Sequence, residues 1–198
     1  AKTSGRRAAC AWVVPLVSLT AMPKIISPQV DFSLLLRQVR QAAPEIFTAD
    51  GAGFLNLLEG RWQEPGQPRP FHSPVVGTEL GGLPMLTHNV ARRAVLSAKQ
   101  EAAAWAATDL EERRRRVQDC LDQLRPQAEL IGKLLMWEIG KTYKLGFTDI
   151  DRAIDGVQWY VDHIESMLGQ RRPLGLVSNI ASWNYPMSVL LHAVLVQV

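Results

Sequence analysis

At 198 residues, with 47% hydrophobic and 21% charged side chains, the chain has the composition of one ordinary globular domain and not of a disordered segment. Its formal charge of +3 invites a nucleic-acid partner, but six Lys or Arg against one acid give residues 1–40 a net +5 and leave −2 for the remainder, so none is predicted. Cys10 and Cys120 form no C-x-x-C, and His72, His88, His163 and His192 stand apart, so no structural metal is predicted and a reducing, cytoplasmic location is expected.

Residues 1–21 set Arg6 and Arg7 before an apolar run over 8–19, the outline of a secretory signal. Pro15 interrupts that run and Leu19 is too large for its place near a cleavage site. The stretch 1–21 is therefore read as an unstructured leader or upstream sequence, with Met22 as a natural start. No run of about 18 apolar residues occurs in the first 186, so no membrane span is predicted there. Residues 22–53 form an amino-terminal extension in which Phe32, Leu35, Leu36 and Val39 repeat at helical spacing and predict a short helix over 31–41. Segments 54–58 and 61–62, joined by Glu59-Gly60, read as a hairpin. Pro65, Pro68, Pro70 and Pro74 with Gly66 predict a loop over 64–74, and a second extended piece follows over 75–85.

From Asn89 the period becomes helical, with Val90, Ala94, Ala98, Ala102 and Trp105 on one face. Asp109 and Glu112 predict a capping box for the next helix. Arg113, Arg114, Arg115 and Arg116 lie inside it at about 100° steps, so they splay into solvent and form no basic stripe. Cys120, among Val117, Leu121 and Leu124, reads as a buried thiol with no setting that would activate it. Pro126 opens a helix carried by Leu130, Leu134, Leu135 and Ile139 that ends near Gly140, with Lys141 complementing its carboxyl end. Thr148 and Asp151 then predict a capping box for the most regular helix, whose stripe is Ile150, Ile154, Val157, Val161, Ile164 and Leu168 and whose stop is Gly169. Trp159 and Tyr160 flank that stripe as core or interface residues.

Residues 174–180 are a short branched apolar run after Pro173 and Gly175, which predicts a buried strand. Pro186 suits the first turn of a helix running to Val198, so the segment reads strand, tight turn, helix. In an open α/β sheet such a turn stands at the carboxyl edge of the strand, beside the crevice where ligands bind. Asn184 adds an amide at that point, either as a helix cap or as a donor to an anion or oxyanion.

Arg172-Pro173-Leu174-Gly175, the apolar run and Trp183-Asn184-Tyr185-Pro186 resemble the nicotinamide-binding domain of the aldehyde dehydrogenase superfamily. Glu138-Ile139-Gly140-Lys141 is similar to its Glu-x-Gly-Lys, with Ile139 where threonine is usual. Leu58-Glu59-Gly60-Arg61-Trp62 is similar to its Gly-x-Trp strand, and residues 73–80 to its Asn-Pro-x-Thr-Gly-Glu segment. Ser182 stands where proline is commoner. The resemblance covers residues 54–198 and implies an α/β fold: the amino-terminal part of an aldehyde-dehydrogenase-like Rossmann-type domain, helix-rich, ending at the first cofactor-binding βα unit.

The same resemblance implies oxidation of an aldehyde to a carboxylic acid with NAD or NADP, through a cysteine thioester. It assigns Asn184 the side-chain donor of the oxyanion hole and Ile180, Ala181, Ser182 and Trp183 the wall along the cofactor. The nucleophile, the base and the pyrophosphate turn would follow Val198, so these residues alone are expected to be an inactive fragment of a homo-oligomeric enzyme. Only Gln170 and Arg171 stand where many members carry a β-hairpin arm used in oligomer contacts. The alternative is a non-catalytic aldehyde-dehydrogenase-like binding or assembly module.

Overall fold

The computed structural model describes residues 28–63 and 66–198. The leader over 1–21, the start at Met22, Cys10 and Pro65 lie outside the described residues. The first helix, α1 (Phe32–Ala42), is the predicted one, and Asp31 caps it by accepting the Leu34 N–H at 2.8 Å. Two hairpins follow. Strands β1 (Asn56–Leu58) and β2 (Arg61–Gln63) pair antiparallel across a two-residue turn, with Leu57 opposite Trp62. Glu59 and Gly60 both have positive φ, 53° and 72°, as the favoured hairpin turn requires.

Strand β3 (Pro68–His72) corrects the predicted loop, for it pairs with β4 (Glu79–Pro84) in antiparallel register. The reason is position: Pro68 and Pro70 are two apart, so their missing N–H groups fall on the same, open edge of β3 and the ladder loses nothing. Proline count alone does not reveal that.

Helix α2 (His88–Ala106) is capped by Thr87 and keeps its apolar face only half-buried. Helix α3 (Leu110–Leu124) is capped as predicted on one side, Asp109 accepting the Glu112 N–H at 2.8 Å. The reciprocal half of the box is absent: the Glu112 carboxylate takes Arg115 at 2.8 Å and Arg116 at 2.7 Å, and those arginines lower its pKa to about 2. The arginines form no single stripe: Arg115 and Arg116 are exposed and share Glu112, whereas Arg113 and Arg114 are half-buried and not solvated as expected. Arg113 donates to the Trp105 and Thr108 carbonyls at 2.8 and 3.0 Å, closing the carboxyl end of α2, while Arg114 reaches the Val161 carbonyl at 2.9 Å.

Cys120 is exposed, contrary to the buried thiol predicted from its apolar neighbours. Val117 and Leu121 face inward, and Cys120, one step before Leu121, is turned about 100° away from it. A thiol reagent is therefore expected to modify Cys120 in the folded chain at the rate of a free surface cysteine, read by peptide mass spectrometry. Modification only in denaturant would contradict its placement.

Helices α4 (Ala128–Ile139) and α5 (Tyr143–Leu168) are joined at Gly140, whose φ of 72° lets the Lys141 N–H return to the Leu135 carbonyl at 3.3 Å. Helix α5 begins earlier than predicted, capped by Thr142. Thr148 sits inside it and donates its hydroxyl to the Lys144 carbonyl at 2.9 Å, so the Thr148–Asp151 box is not formed. Gly146 makes that first turn possible where α5 meets α4. A Cβ there would stand 2.6 Å from the Gly132 carbonyl oxygen, and one on Gly132 would meet the Phe147 ring at 2.9 Å. Gly146→Ala is expected to destabilise the fold by about 1–3 kcal/mol through overpacking, visible as a lower urea midpoint.

The α5 stripe is the main core: Ile150, Ile154, Val157 and Val161 are buried against Val117 and Leu121 of α3. Helix α6 (Pro186–Leu195) lays Met187, Leu191 and Leu195 on the same core. A second cluster joins Leu35, Leu80 and Trp137, tying α1 and β4 to α4. Residues 171–182 correct the largest expectation. They form no strand, and Leu174 and Ile180 are 95% and 96% exposed. A strand needs a backbone partner, and both ladders among the described residues are two-strand pairs that residues 171–182 do not join. The described part is helix-rich as expected, without the parallel sheet.

Candidate active site

Pro186 occupies the first turn of α6, as predicted, and Tyr185 stands at the cap with extended φ of −134°. No side chain of the turn caps the helix. The orphan Ser188 N–H instead donates to Asp149 Oδ1 at 3.1 Å, thirty-nine positions earlier on α5. Asp149 Oδ2 accepts from Lys141 Nζ at 2.8 Å, and the two side chains are 0% and 9% exposed. Burial by itself would raise the Asp149 carboxyl, but the hydrogen bonds from Lys141 and Ser188 outweigh it and hold it below the usual carboxylate range. Lys141 Nζ also lies 4.2 Å from the centre of the Tyr185 ring, a cation–π contact. Two of the recognised motifs, Glu138 to Lys141 and Trp183 to Pro186, thus meet in space.

This arrangement removes one of the two uses of Asn184. It is not the cap of α6: its side chain is exposed, and it has no hydrogen-bond partner among the described residues. Its amide remains free to donate to a ligand. Ile180, Ser182 and Trp183 are exposed and Ala181 is half-buried, in the segment that leads into α6. One apolar cavity of about 170 Å³ lies between α3 and α5, lined by Val117, Val157, Val161 and Leu195. A second cavity is lined by Pro173 and by Leu176, Val177 and Asn179 of the segment predicted as a strand, against Ala102 and Trp105 of α2.

Glu138 lines another cavity, with Phe32, Leu134 and Trp137. The residue is exposed, yet desolvation by its neighbours raises its carboxyl above the usual range. Asp149 is the residue at this turn that the sequence does not single out. Its sequence signal is an acid one position before Ile150, on the buried stripe of α5, where an unpaired carboxylate would be costly. No group of three or more potential metal ligands exists among the described residues.

Comparison with known proteins bears on the same residues. The sequence matches the Aldehyde dehydrogenase family over residues 62–198. It is 26% identical over 155 residues to the NADP-dependent glyceraldehyde-3-phosphate dehydrogenase of Streptococcus equinus, covering 69% of this chain and 33% of that protein. It is 28% identical over 150 residues to malonate-semialdehyde dehydrogenase 2 of Shouchella clausii, covering 68% and 31%. The chain thus spans about a third of the length of these relatives. In fold it is similar to the NADP-dependent glyceraldehyde-3-phosphate dehydrogenase of Bacillus halodurans C-125 solved with NADP, at a TM-score of 0.65 and 22% identity over 73% of this chain and 36% of that one. A match over more than half of the sequence, with both motifs of the α6 turn inside it, means that the chain belongs to the aldehyde dehydrogenase family.

Proposed function

We propose that the protein carrying this chain oxidises an aldehyde to a carboxylic acid, with water as the oxygen donor and NAD or NADP as the hydride acceptor. The reading rests on one observation above the others: Asn184, in Trp183-Asn184-Tyr185-Pro186, keeps an uncommitted amide at the start of a helix held by a buried ion pair. In this role the Asn184 Nδ2–H donates to the carbonyl oxygen as it gains negative charge, the place where a fixed donor stabilises a transition state most. Ile180 and Trp183 offer exposed apolar surface suited to the flat ring of a nicotinamide, with Ala181 and Ser182 between them. When bound, the dinucleotide accepts the hydride.

The covalent step needs a thiolate, and Cys120 does not supply it. It stands in the middle of α3, away from any helix amino terminus. The proposed reaction therefore needs a nucleophilic cysteine other than Cys120, and these 198 residues alone are proposed to be catalytically silent. No helix among the described residues is long and apolar enough to cross a membrane. A homo-oligomer in a reducing, cytoplasmic compartment completes the reading.

The test is an assay of NAD(P)H formation with a panel of aldehydes, run on the product of the whole reading frame and on these 198 residues. Aldehyde-dependent turnover by the first and none by the second is expected. A whole-frame protein inert toward every aldehyde with both dinucleotides would overturn the reading. Retained dinucleotide binding would then mark a non-catalytic binding or assembly module.

A further inference from the structure

We propose that Lys141 and Asp149 are positioning residues for the turn that carries Asn184, with Asp149 acting as a cap supplied from another helix. The first turn of α6 has no local cap, since Tyr185 places no side-chain acceptor there. Its Ser188 N–H is satisfied by Asp149 Oδ1 at 3.1 Å. Lys141 secures the other oxygen of the same carboxylate at 2.8 Å and, through the Tyr185 ring at 4.2 Å, packs beneath the residue adjacent to Asn184. One buried ion pair thereby fixes the turn from both sides, at Ser188 and at Tyr185. The close approach of Gly156 to the His192 ring sets the same helix further along, with Tyr160 edge-on to that ring at 6.3 Å.

A pair kept only for stability would be an inefficient choice. Replacing a buried ion pair by apolar groups of similar volume is often neutral or stabilising, because the desolvation of both charges disappears. What an apolar pair cannot do is accept the Ser188 hydrogen bond. Stability and positioning are therefore separable by mutation. The catalytic consequence rests on the reading of Asn184 as oxyanion donor, whereas the placement of the turn does not.

Amide hydrogen exchange on the whole-frame protein separates the two. Ser188 is protected by Asp149 alone, being too early in α6 for an intrahelical acceptor. In K141M/D149L its exchange is expected to rise at least about tenfold, the loss of one hydrogen bond to a charged acceptor, while Ile154 and Val157 in the core keep their protection. K141M/D149N, which retains a neutral oxygen in the same place, is expected to fall between that variant and the parent. The conservative variant keeps the question answerable where the apolar one does not fold. Unchanged Ser188 exchange in the variants would overturn the proposal, as would a rise spread evenly over α5 and α6. In the whole-frame protein K141M/D149L is expected to lower kcat more than the KM for aldehyde. Silence of N184A in that assay would defeat the oxyanion reading and leave the exchange result standing.

Discussion

Asn184→Ala in the whole-frame protein is expected to lower kcat for aldehyde oxidation by about 10²–10³-fold, about 3–4 kcal/mol, with a much smaller change in the KM for aldehyde. The split follows from when the interaction forms. The amide meets a neutral carbonyl oxygen in the bound substrate and a nearly full negative charge after thiolate addition, so its removal affects the transition state more than the ground state. The residue is exposed, caps nothing and buries nothing, so the thermal midpoint is expected to stay within about a degree of the parent. Steady-state kinetics with a saturating dinucleotide checks both halves. A rise in KM alone would show that Asn184 binds substrate without serving the oxyanion.

Lys141→Met is expected to have the largest effect on stability, about 3–5 kcal/mol at neutral pH, because it leaves the Asp149 carboxylate buried without its counter-charge. The single variant should be far less stable than K141M/D149L, in which both charges are gone. The pH dependence has a fixed direction. In the parent the Asp149 pKa is depressed, so the pair contributes fully above the unfolded value of about 3.9 and is lost as pH falls through the lower, folded pKa. In Lys141→Met only the Ser188 hydrogen bond still opposes the burial that raises this carboxyl, so it protonates at a higher pH than in the parent. The gap between parent and variant is therefore expected to narrow steadily as the solution is acidified toward pH 4 and below. Urea midpoints measured across that range would show it. A gap independent of pH would mean that lost packing of the lysine stem, and not its charge, carries the effect.

The two variants address different layers of one arrangement. Asn184 would act on the reacting oxygen, and the buried pair acts on where Asn184 stands. If substitution at Asn184 changes kcat and substitution of the pair changes Ser188 exchange, then an effect of the pair on kcat has a physical route: the first turn of α6 loosens and the donor spreads over more positions. A displacement of about 1 Å in a positioned group is enough to cost a large factor in rate.

The amino-acid sequence by itself determined the features whose cause is local. Asp31 and Asp109 cap their helices because a short acceptor one position before a helical run has its N–H partner three residues away. Pro186 begins α6, Gly140 ends α4 and Glu59-Gly60 makes the β1–β2 turn, each through a backbone preference that belongs to the residue itself. The stripe from Ile150 to Val161 is buried because the period of the side chains leaves no other face to bury. The motif set that marks the family is equally local, since it is read as ordered residues along the chain.

Only the tertiary structure decided the features that depend on a partner far away. Whether Pro68 and Pro70 can lie in a strand depends on which edge is open, and whether residues 174–180 form one depends on a neighbour to bond with. Thr148 lost its place as a cap because α5 could begin at Thr142 once Gly146 fitted against Gly132. Cys120 and Leu121 are adjacent in sequence but face opposite environments, a matter of how α3 is rotated on α5. Asp149 is the strongest case. Along the chain it is one acid at the edge of an apolar stripe, and only the packing of α5 on α6 brings it to the Ser188 N–H. A carboxylate can cap any helix whose first turn reaches it, so its partner is set by three-dimensional packing and leaves no trace in local spacing.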